Sequence, residues 1–149
     1  VLGGSLIMRE DSSENELRKA VDILVSKYEP VAIILFGSRA RGDYKPWSDY
    51  DLLIIARFDK NYLDRIGEIL TALSEIKIPV EPHPYTLEEA LEMLNKGNPM
   101  IIDALSEGVV LYRTRDLEKL VNRLNEMIRR GLRKTYTSII IPDTAKEDN

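Results

Sequence analysis

Apolar residues recur along the chain with two spacings, and each spacing predicts a different kind of element. In residues 14–28 they fall every three or four positions, which predicts an amphipathic helix that Ser12 or Ser13 can cap. Residues 31–36 are an unbroken apolar run too short for a helix. Residues 51–56 predict a second strand of this kind, in which every residue after Asp51 is apolar. Runs of this kind are typical of strands that are covered on both faces.

Helices and strands alternate through the rest of the chain. Residues 78–85 predict a third strand, which its prolines would confine to a sheet edge. Between the second and third strands, helical spacing predicts an apolar helix face made of Leu63, Ile66, Leu70 and Leu73. The later predicted elements are a helix capped by Thr86, a short helix at 100–106, a strand at 109–112 and a helix at 115–131. This alternation predicts an α/β fold, and the last helix offers its apolar side to the core or to a second copy of the chain.

The length of the chain limits it to one domain. A chain of 149 residues with 44% hydrophobic content is long enough for one core and too short for two. We place the domain at residues 9–134, with residues 1–8 as a flexible N-terminus or an added remnant and residues 135–149 as a flexible polar tail. No apolar run reaches the roughly 18 residues of a membrane span, so we expect a cytoplasmic protein that does not enter the membrane.

Charge and cysteine content narrow the chemistry. The formal net charge of −4 provides no overall attraction to nucleic acid or to an anionic membrane, so phosphate binding must come from a local site. Cysteine is absent, which excludes disulfides, thiolate metal sites and cysteine nucleophiles.

Two aspartates stand at the start of the second strand. Residues two apart in a strand share a face, so Asp49 and Asp51 project together, about 7 Å apart, at the rim of the apolar core. Two such carboxylates repel each other, and partial burial would raise their pKa values unless a cation lies between them. Mg²⁺ suits this position because it binds one or two carboxylates and completes its shell with water and phosphate oxygens.

A glycine-serine turn follows the first strand directly. Gly37 lets the backbone approach a ligand closely, and the hydroxyl of Ser38 can donate a hydrogen bond. Residues 38–40 can open a short helical turn whose free amides face an anion, and Arg39 and Arg41 add positive charge nearby. A phosphate site and a metal site would then meet at the ends of two neighbouring strands, which predicts a metal-bound polyphosphate as the ligand.

The spacing of these residues resembles a known signature. Gly37-Ser38, ten intervening residues and then Asp49-x-Asp51 is similar to the motif of the DNA polymerase β nucleotidyltransferase superfamily. The run is most similar to the minimal nucleotidyltransferase branch, often encoded beside a HEPN-domain protein, and the resemblance extends over about residues 14–112. It implies a nucleotidyltransferase fold with a small mixed sheet, helices mainly on one face, and the site at the exposed end of the first two strands.

Members of this superfamily use a third carboxylate on a later strand, and the matching residue here is Glu81. Alternation along the strand places Glu81, His83 and Tyr85 on one face. His83 is the one histidine of the chain, and we interpret it as structural, as a lone histidine usually is.

The resemblance implies roles for the site residues. Three carboxylates would be catalytic and would bind two Mg²⁺ ions: Asp49, Asp51 and Glu81. Four residues would bind the phosphates of the nucleotide: Gly37, Ser38, Arg39 and Arg41. No protein nucleophile and no tightly held organic cofactor is needed.

Two functional classes fit this pattern. The first is an enzyme that transfers a nucleoside monophosphate to a hydroxyl, with AMP from ATP as the transfer we expect. The branch implies a tyrosine of a HEPN-domain toxin as the acceptor. The second is an antitoxin that masks its partner by contact without turnover. A small-molecule nucleotidyltransferase of the antibiotic-modifying type is disfavoured because such relatives carry a larger acceptor-binding region. The intact glycine, serine and aspartate set favours turnover.

Overall fold

The two apolar runs form the central strands of a four-stranded sheet. The computed structural model describes the backbone of residues 2–134 and 139–140 and the side chains of residues 12–133. The strands are β1 (Ala32–Phe36), β2 (Tyr50–Ile55), β3 (Val80–Tyr85) and β4 (Val109–Arg113). Their order is β3-β2-β1-β4, with β2 parallel to β3 and β1 antiparallel to β2 and β4. The sheet is mixed, and the predicted α/β class is confirmed.

Helices cover both faces of this sheet. Within the described part of the chain they are α1 (Leu2–Tyr28), α2 (Ser38–Arg41), α3 (Tyr62–Ala72), α4 (Leu87–Asn95), α5 (Pro99–Glu107) and α6 (Leu117–Arg129). One face of β1 and β2 packs against α4, α5 and α6, including the apolar side of α6, and the other face packs against α1 and α3. The helices are thus shared between the faces instead of lying mainly on one, because both faces of the central strands are apolar.

Some elements differ in extent from the sequence prediction. α1 begins at Leu2 instead of residue 14, and β3 begins at Val80 instead of residue 78. The tail predicted at residues 135–149 lies outside the described residues, except for a two-residue strand, β6 (Ile139–Ile140), that pairs with β5 (Arg133–Lys134). No helix in the described ranges is both long and apolar enough to cross a membrane.

The buried face of helix α3 is shifted from the predicted one. Of the four predicted residues, Leu73 is buried and Ile66 is half-buried, whereas Leu63 is 77% exposed and Leu70 is 46% exposed. Ile69, outside the predicted set, is buried. The buried side also includes Arg65, which is only 8% exposed. A pattern of apolar residues places an arginine outside by default, so it did not predict this part of the buried side.

Arg65 holds the outer edge of β3. The prolines inside β3 have no amide hydrogen to donate, and they lie in an edge strand, where one side of the backbone has no strand to bond. Arg65 donates to the Pro84 carbonyl at 3.3 Å and to the Glu89 carboxylate at 2.7 and 3.3 Å. The Glu89 carboxylate also accepts from the Thr86 amide in the capping box of α4. This network joins α3, β3 and α4.

We expect Glu89→Gln to lower the free energy of unfolding by about 1–2 kcal/mol at pH 7, because hydrogen bonds to charged groups are worth that much when partly exposed. The Arg65 guanidinium holds the pKa of the Glu89 carboxyl below its ordinary value. A carboxyl with a lowered pKa stabilises the fold above its unfolded pKa, and this stabilisation is lost as the pH falls through the folded pKa. The difference in free energy of unfolding between the Glu89→Gln variant and the native chain should therefore shrink as the pH is lowered from about 5 to about 2, which urea unfolding measures. Glu88→Gln, at an exposed neighbouring position, is the control and should lower the free energy of unfolding by less. An equal cost for both variants would contradict the role of the network.

Candidate active site

Gly37 joins the end of β1 to the start of the short helix α2. Its backbone has φ +75° and ψ −156°, a conformation that essentially only glycine adopts. A Cβ atom at this position would lie 2.5 Å from Oδ2 of Asp51. Because Phe36 and Asp51 are paired in the sheet, the turn lies directly against the Asp51 carboxylate. Gly37 is therefore needed both for the turn and for the close approach of the carboxylate.

The helix α2 forms the short helical turn that the sequence predicted. The amides of Ala40 and Arg41 both donate to the Gly37 carbonyl at 3.1 Å, and the turn ends at Gly42. The amides of Ser38 and Arg39 precede these two along the chain, at the N-terminal end of the turn. That end is where helical amides have no partner within the helix and can receive an anion.

Asp51, Glu81 and His83 meet on neighbouring strands. The parallel register of β2 and β3 pairs Asp51 with Glu81 and brings His83 two residues further along the same face. One ligand atom from each of the three residues lies within 4.8 Å of the others. His83 Nε2 lies 3.2 Å from Asp51 Oδ1, and the His83 ring packs edge-on against Phe36 with centroids 5.0 Å apart.

The electrostatics of this cluster favour a cation. The hydrogen bond that Glu81 shares with Asp51 raises the pKa of the Glu81 carboxyl, and burial and the Asp51 charge raise it further. Two carboxylates this close repel each other, and a bound positive ion relieves the repulsion. The donor set of two carboxylates and one imidazole fits a divalent metal, since all three groups are common metal ligands. A bound divalent metal would offset the repulsion that raises the pKa of Glu81.

Asp49 lies at the rim of this cluster. It is exposed and precedes β2, and among the described residues its carboxylate is not part of the three-residue group. Its charge still contributes to the raised pKa of Glu81, so the carboxylates act on each other across the site. The structure therefore brings Asp51 and Glu81 together and leaves Asp49 beside the entrance.

Arg39 braces the loop between α2 and β2. Its guanidinium lies between two aromatic rings, 4.2 Å from the centroid of Tyr44 and 4.3 Å from that of Tyr50. It also donates to the carbonyl of Ser48, at 3.2 and 3.1 Å, and to that of Pro46 at 3.3 Å. These contacts hold the segment that leads into Asp49.

Arg41 occupies a different environment from Arg39. Its side chain is about half exposed and pairs with Asp43 at 3.3 Å within the same loop. Surface ion pairs of this kind contribute little to stability. The two arginines, both of which were predicted to bind phosphate, therefore differ in their contacts.

We expect Arg39→Met to lower the free energy of unfolding by about 1–2 kcal/mol, because it removes two cation–π contacts and several charged hydrogen bonds. Arg41→Met should change it by less than about 0.5 kcal/mol. Chymotrypsin can cut after Tyr44 or Trp47, so its cleavage rate in native buffer reports on the order of this loop. Faster cleavage is expected for the Arg39 variant alone, and equal rates for both variants would contradict the bracing role.

Two features of the site were not found from the sequence. The contact of His83 with Asp51 depends on the register between two strands, although the alternation in residues 81–85 did place Glu81 and His83 on one face. The position of Arg39 between Tyr44 and Tyr50 depends on how a loop folds back, for which the sequence has no periodic signal.

These observations define a class of protein. A mixed α/β sheet brings a glycine turn, the first amides of a helix and a cluster of carboxylates together at the ends of two strands. This combination is suited to a nucleotide whose phosphates carry a divalent metal. Residues 17–112 match the nucleotidyltransferase domain family, and the chain belongs to this family and is a nucleotidyltransferase.

Relatives and solved structures agree with this assignment. The chain is 44% identical over 105 residues to MJ0604 of Methanocaldococcus jannaschii, named as a candidate protein adenylyltransferase, with 68% of this chain and 99% of that protein covered. It is 31% identical over 104 residues to MJ1305 of the same organism, similarly named, covering 67% of this chain and 71% of that protein. A crystal structure of a toxin-antitoxin complex with AMP-PNP contains a chain of the same fold, with a TM-score of 0.51, 19% identity, and coverage of 77% of this chain and 87% of that one.

Proposed function

We propose that this nucleotidyltransferase moves AMP from ATP to a tyrosine hydroxyl of a HEPN-domain toxin and releases pyrophosphate. In this reaction the tyrosine oxygen forms a bond to the α-phosphorus. The bond between the α-phosphorus and the oxygen that bridges it to the β-phosphorus breaks, and this oxygen leaves with pyrophosphate. The hydroxyl proton passes to solvent. A location in the cytoplasm fits this proposal because ATP is supplied there.

One observation carries the proposal. Carboxylate oxygens of Asp51 and Glu81 lie within 4.8 Å of each other beside the Gly37 turn, and the proximity of Asp51 raises the pKa of Glu81. Such an arrangement is unfavourable for the protein by itself at neutral pH, and a bound cation would relieve it. The adjacent amides of Ser38 and Arg39 offer an anion site, so a metal-bound triphosphate satisfies both halves of the site.

The residues of the chain would act mainly by positioning. Asp49, Asp51 and Glu81 are proposed to hold two Mg²⁺ ions, which when bound would neutralise phosphate charge and lower the pKa of the acceptor hydroxyl. The Ser38 hydroxyl and the amides of Gly37, Ser38 and Arg39 would orient the β- and γ-phosphates, so that pyrophosphate is the leaving group. Arg39 would contribute by bracing the Asp49 loop, and Arg41 by adding positive charge at its edge. Positioning and charge neutralisation are the main demands of phosphoryl transfer.

The comparisons favour a protein acceptor. The relative MJ0604 is named for transfer of AMP to protein, and the matched length covers nearly all of it. The structural neighbour is part of a toxin-antitoxin complex with an ATP analogue, which suggests both the nucleotide and the kind of partner. Near the proposed site the chain exposes Trp47 and Tyr44, at 77% and 50%, on the loop before Asp49. An acceptor protein would meet this loop when it approaches the carboxylates.

The test is transfer of label from nucleotide to partner. The chain is incubated with Mg²⁺, one of four α-labelled nucleoside triphosphates, and a candidate HEPN-domain partner protein. The modified residue is then located by mass spectrometry. We expect label from ATP on a tyrosine, no label from the γ-position, and loss of transfer when EDTA removes the metal.

Two outcomes would redirect the proposal. Label from another nucleotide would keep the chemistry and change the donor. Binding and neutralisation of the partner without any label would instead favour an antitoxin that masks its partner by contact.

A further inference from the structure

His83 places an imidazole nitrogen among the carboxylates of the site. Its Nε2 lies 3.2 Å from Oδ1 of Asp51, and its side chain is 18% exposed, compared with 23% for Asp51. The edge-on contact with Phe36 limits rotation of the ring and keeps Nε2 directed toward the cluster. Packing against Phe36 requires only an aromatic ring, so it does not explain why a ring nitrogen of His83 faces the Asp51 carboxylate.

The dimensions of the cluster suit one shared ion. The ligand atoms of Asp51, Glu81 and His83 lie within 4.8 Å of one another. Three donors that surround a single ion with bonds of roughly 2.1 Å lie about 3.0–3.6 Å from one another. His83 Nε2 and Asp51 Oδ1 already lie 3.2 Å apart. A shift of the Glu81 carboxylate by about 1–2 Å, within the range of side-chain rotation, would therefore bring all three donors onto one ion.

The imidazole changes which metals the site should prefer. Mg²⁺ is a hard ion that takes oxygen ligands and keeps several waters. Imidazole nitrogen suits first-row transition ions, and Mn²⁺ is the member of that series that also suits carboxylates. A carboxylate at position 83 would have made an all-oxygen site, which suits Mg²⁺. An aliphatic residue there would have added no ligand and so would not have affected the choice of metal.

We infer that His83 Nε2 is a ligand of the divalent ion held by Asp51 and Glu81, and that it gives this site a preference for Mn²⁺ and similar ions over Mg²⁺. The inference rests on the metal site of the proposed function, and it concerns which ion binds there and through which atom. It predicts that Mn²⁺ binds at least about tenfold more tightly to the native chain than to a variant without the imidazole, since losing a metal's imidazole contact weakens affinity by that order.

The single histidine makes the test unambiguous. The chain, prepared without a histidine tag, is titrated with Mn²⁺ alone, and the bound ion is examined by pulsed electron paramagnetic resonance for coupling to an imidazole nitrogen. The experiment is repeated on a chain with ¹⁵N-labelled histidine, because a coupling that changes with this label can come only from His83.

Two variants provide the matched comparison. His83→Phe keeps an aromatic ring against Phe36 and removes both nitrogens, and His83→Asn keeps a polar group but removes the imidazole. In each variant that retains native circular dichroism, Mn²⁺ affinity should fall at least about tenfold, while Mg²⁺ affinity should change less than about threefold. The spectroscopic result on the native chain stands even if a variant fails to fold.

The outcomes separate this inference from the proposed function. Bound Mn²⁺ without coupling to the histidine nitrogen, or no Mn²⁺ binding at all, would overturn it, even if AMP transfer with Mg²⁺ is observed. Coupling that follows the ¹⁵N label would support it, even if label transfer to a HEPN-domain protein fails.

Discussion

Asp51→Asn is expected to lower nucleotidyl transfer by about a thousandfold while leaving the fold intact. The substitution keeps the shape of the side chain but removes the charge at the point where Glu81, His83 and the Gly37 turn meet. If this carboxylate positions a metal, its loss removes several kcal/mol of transition-state stabilisation, and about 4 kcal/mol corresponds to a factor of about 10³. The rate of label transfer from α-labelled ATP measures this directly.

The same variant should be at least as stable as the native chain at pH 7. Contact with Asp51 raises the pKa of Glu81, and a carboxyl whose pKa is higher in the folded state destabilises the fold as the pH rises through its unfolded and folded pKa values. Removing the Asp51 charge relieves this cost, and the relief should be present at pH 7 and disappear near pH 3. Urea unfolding at the two pH values checks it.

Asp43→Asn is the matched control for this pair of measurements. Asp43 is an exposed carboxylate of the neighbouring loop, where it pairs with Arg41. We expect transfer to change less than about threefold and stability by less than about 0.5 kcal/mol. A comparable loss of transfer in both variants would mean that the overall negative charge of the region matters and that Asp51 has no special role.

The central sheet could be predicted from the sequence because its signals are local. β1 and β2 are unbroken apolar runs, and β3 is marked as an edge strand by its prolines, which occupy the edge in the structure. The glycine turn and Asp51 could also be predicted to meet, since each stands at the end of an apolar strand. The structure places Glu81 beside Asp51, as the family resemblance implied, and the catalytic role of Glu81 stays a prediction.

The features that were missed depend on contacts between distant segments. The inward position of Arg65 is set by its partners Pro84 and Glu89 on two other elements, so the apolar pattern of α3 alone predicted its buried face only in part. The helices on both faces of the sheet follow from the apolar character of both faces of β1 and β2, whereas the family resemblance had implied helices mainly on one face. The contact between His83 and Asp51 arises only once the register of β2 and β3 is set.

Gly37→Ala is expected to lower both the stability of the protein and its activity. Alanine at φ +75° and ψ −156° is strained, at a cost of about 1–3 kcal/mol. Its Cβ would also lie 2.5 Å from Oδ2 of Asp51, so the carboxylate must move away from the position that it shares with Glu81. Urea unfolding should show the loss of stability, and label transfer should fall at least about a hundredfold, because displacement of a positioned group by an ångström costs about that much.

A double-mutant cycle separates the two causes. In an Asp51→Ala background the carboxylate that the new Cβ would meet is absent, so Gly37→Ala should cost less than in the native chain, and the remaining cost is backbone strain. Gly67→Ala is the matched control, since Gly67 lies within α3 and a Cβ there meets nothing within 4 Å. That control should raise the free energy of unfolding by about 0.5–1 kcal/mol, because alanine favours a helix over glycine. If Gly37→Ala costs the same in both backgrounds, the turn requires glycine for its backbone alone, and the close approach of Asp51 is not what excludes a side chain at this position.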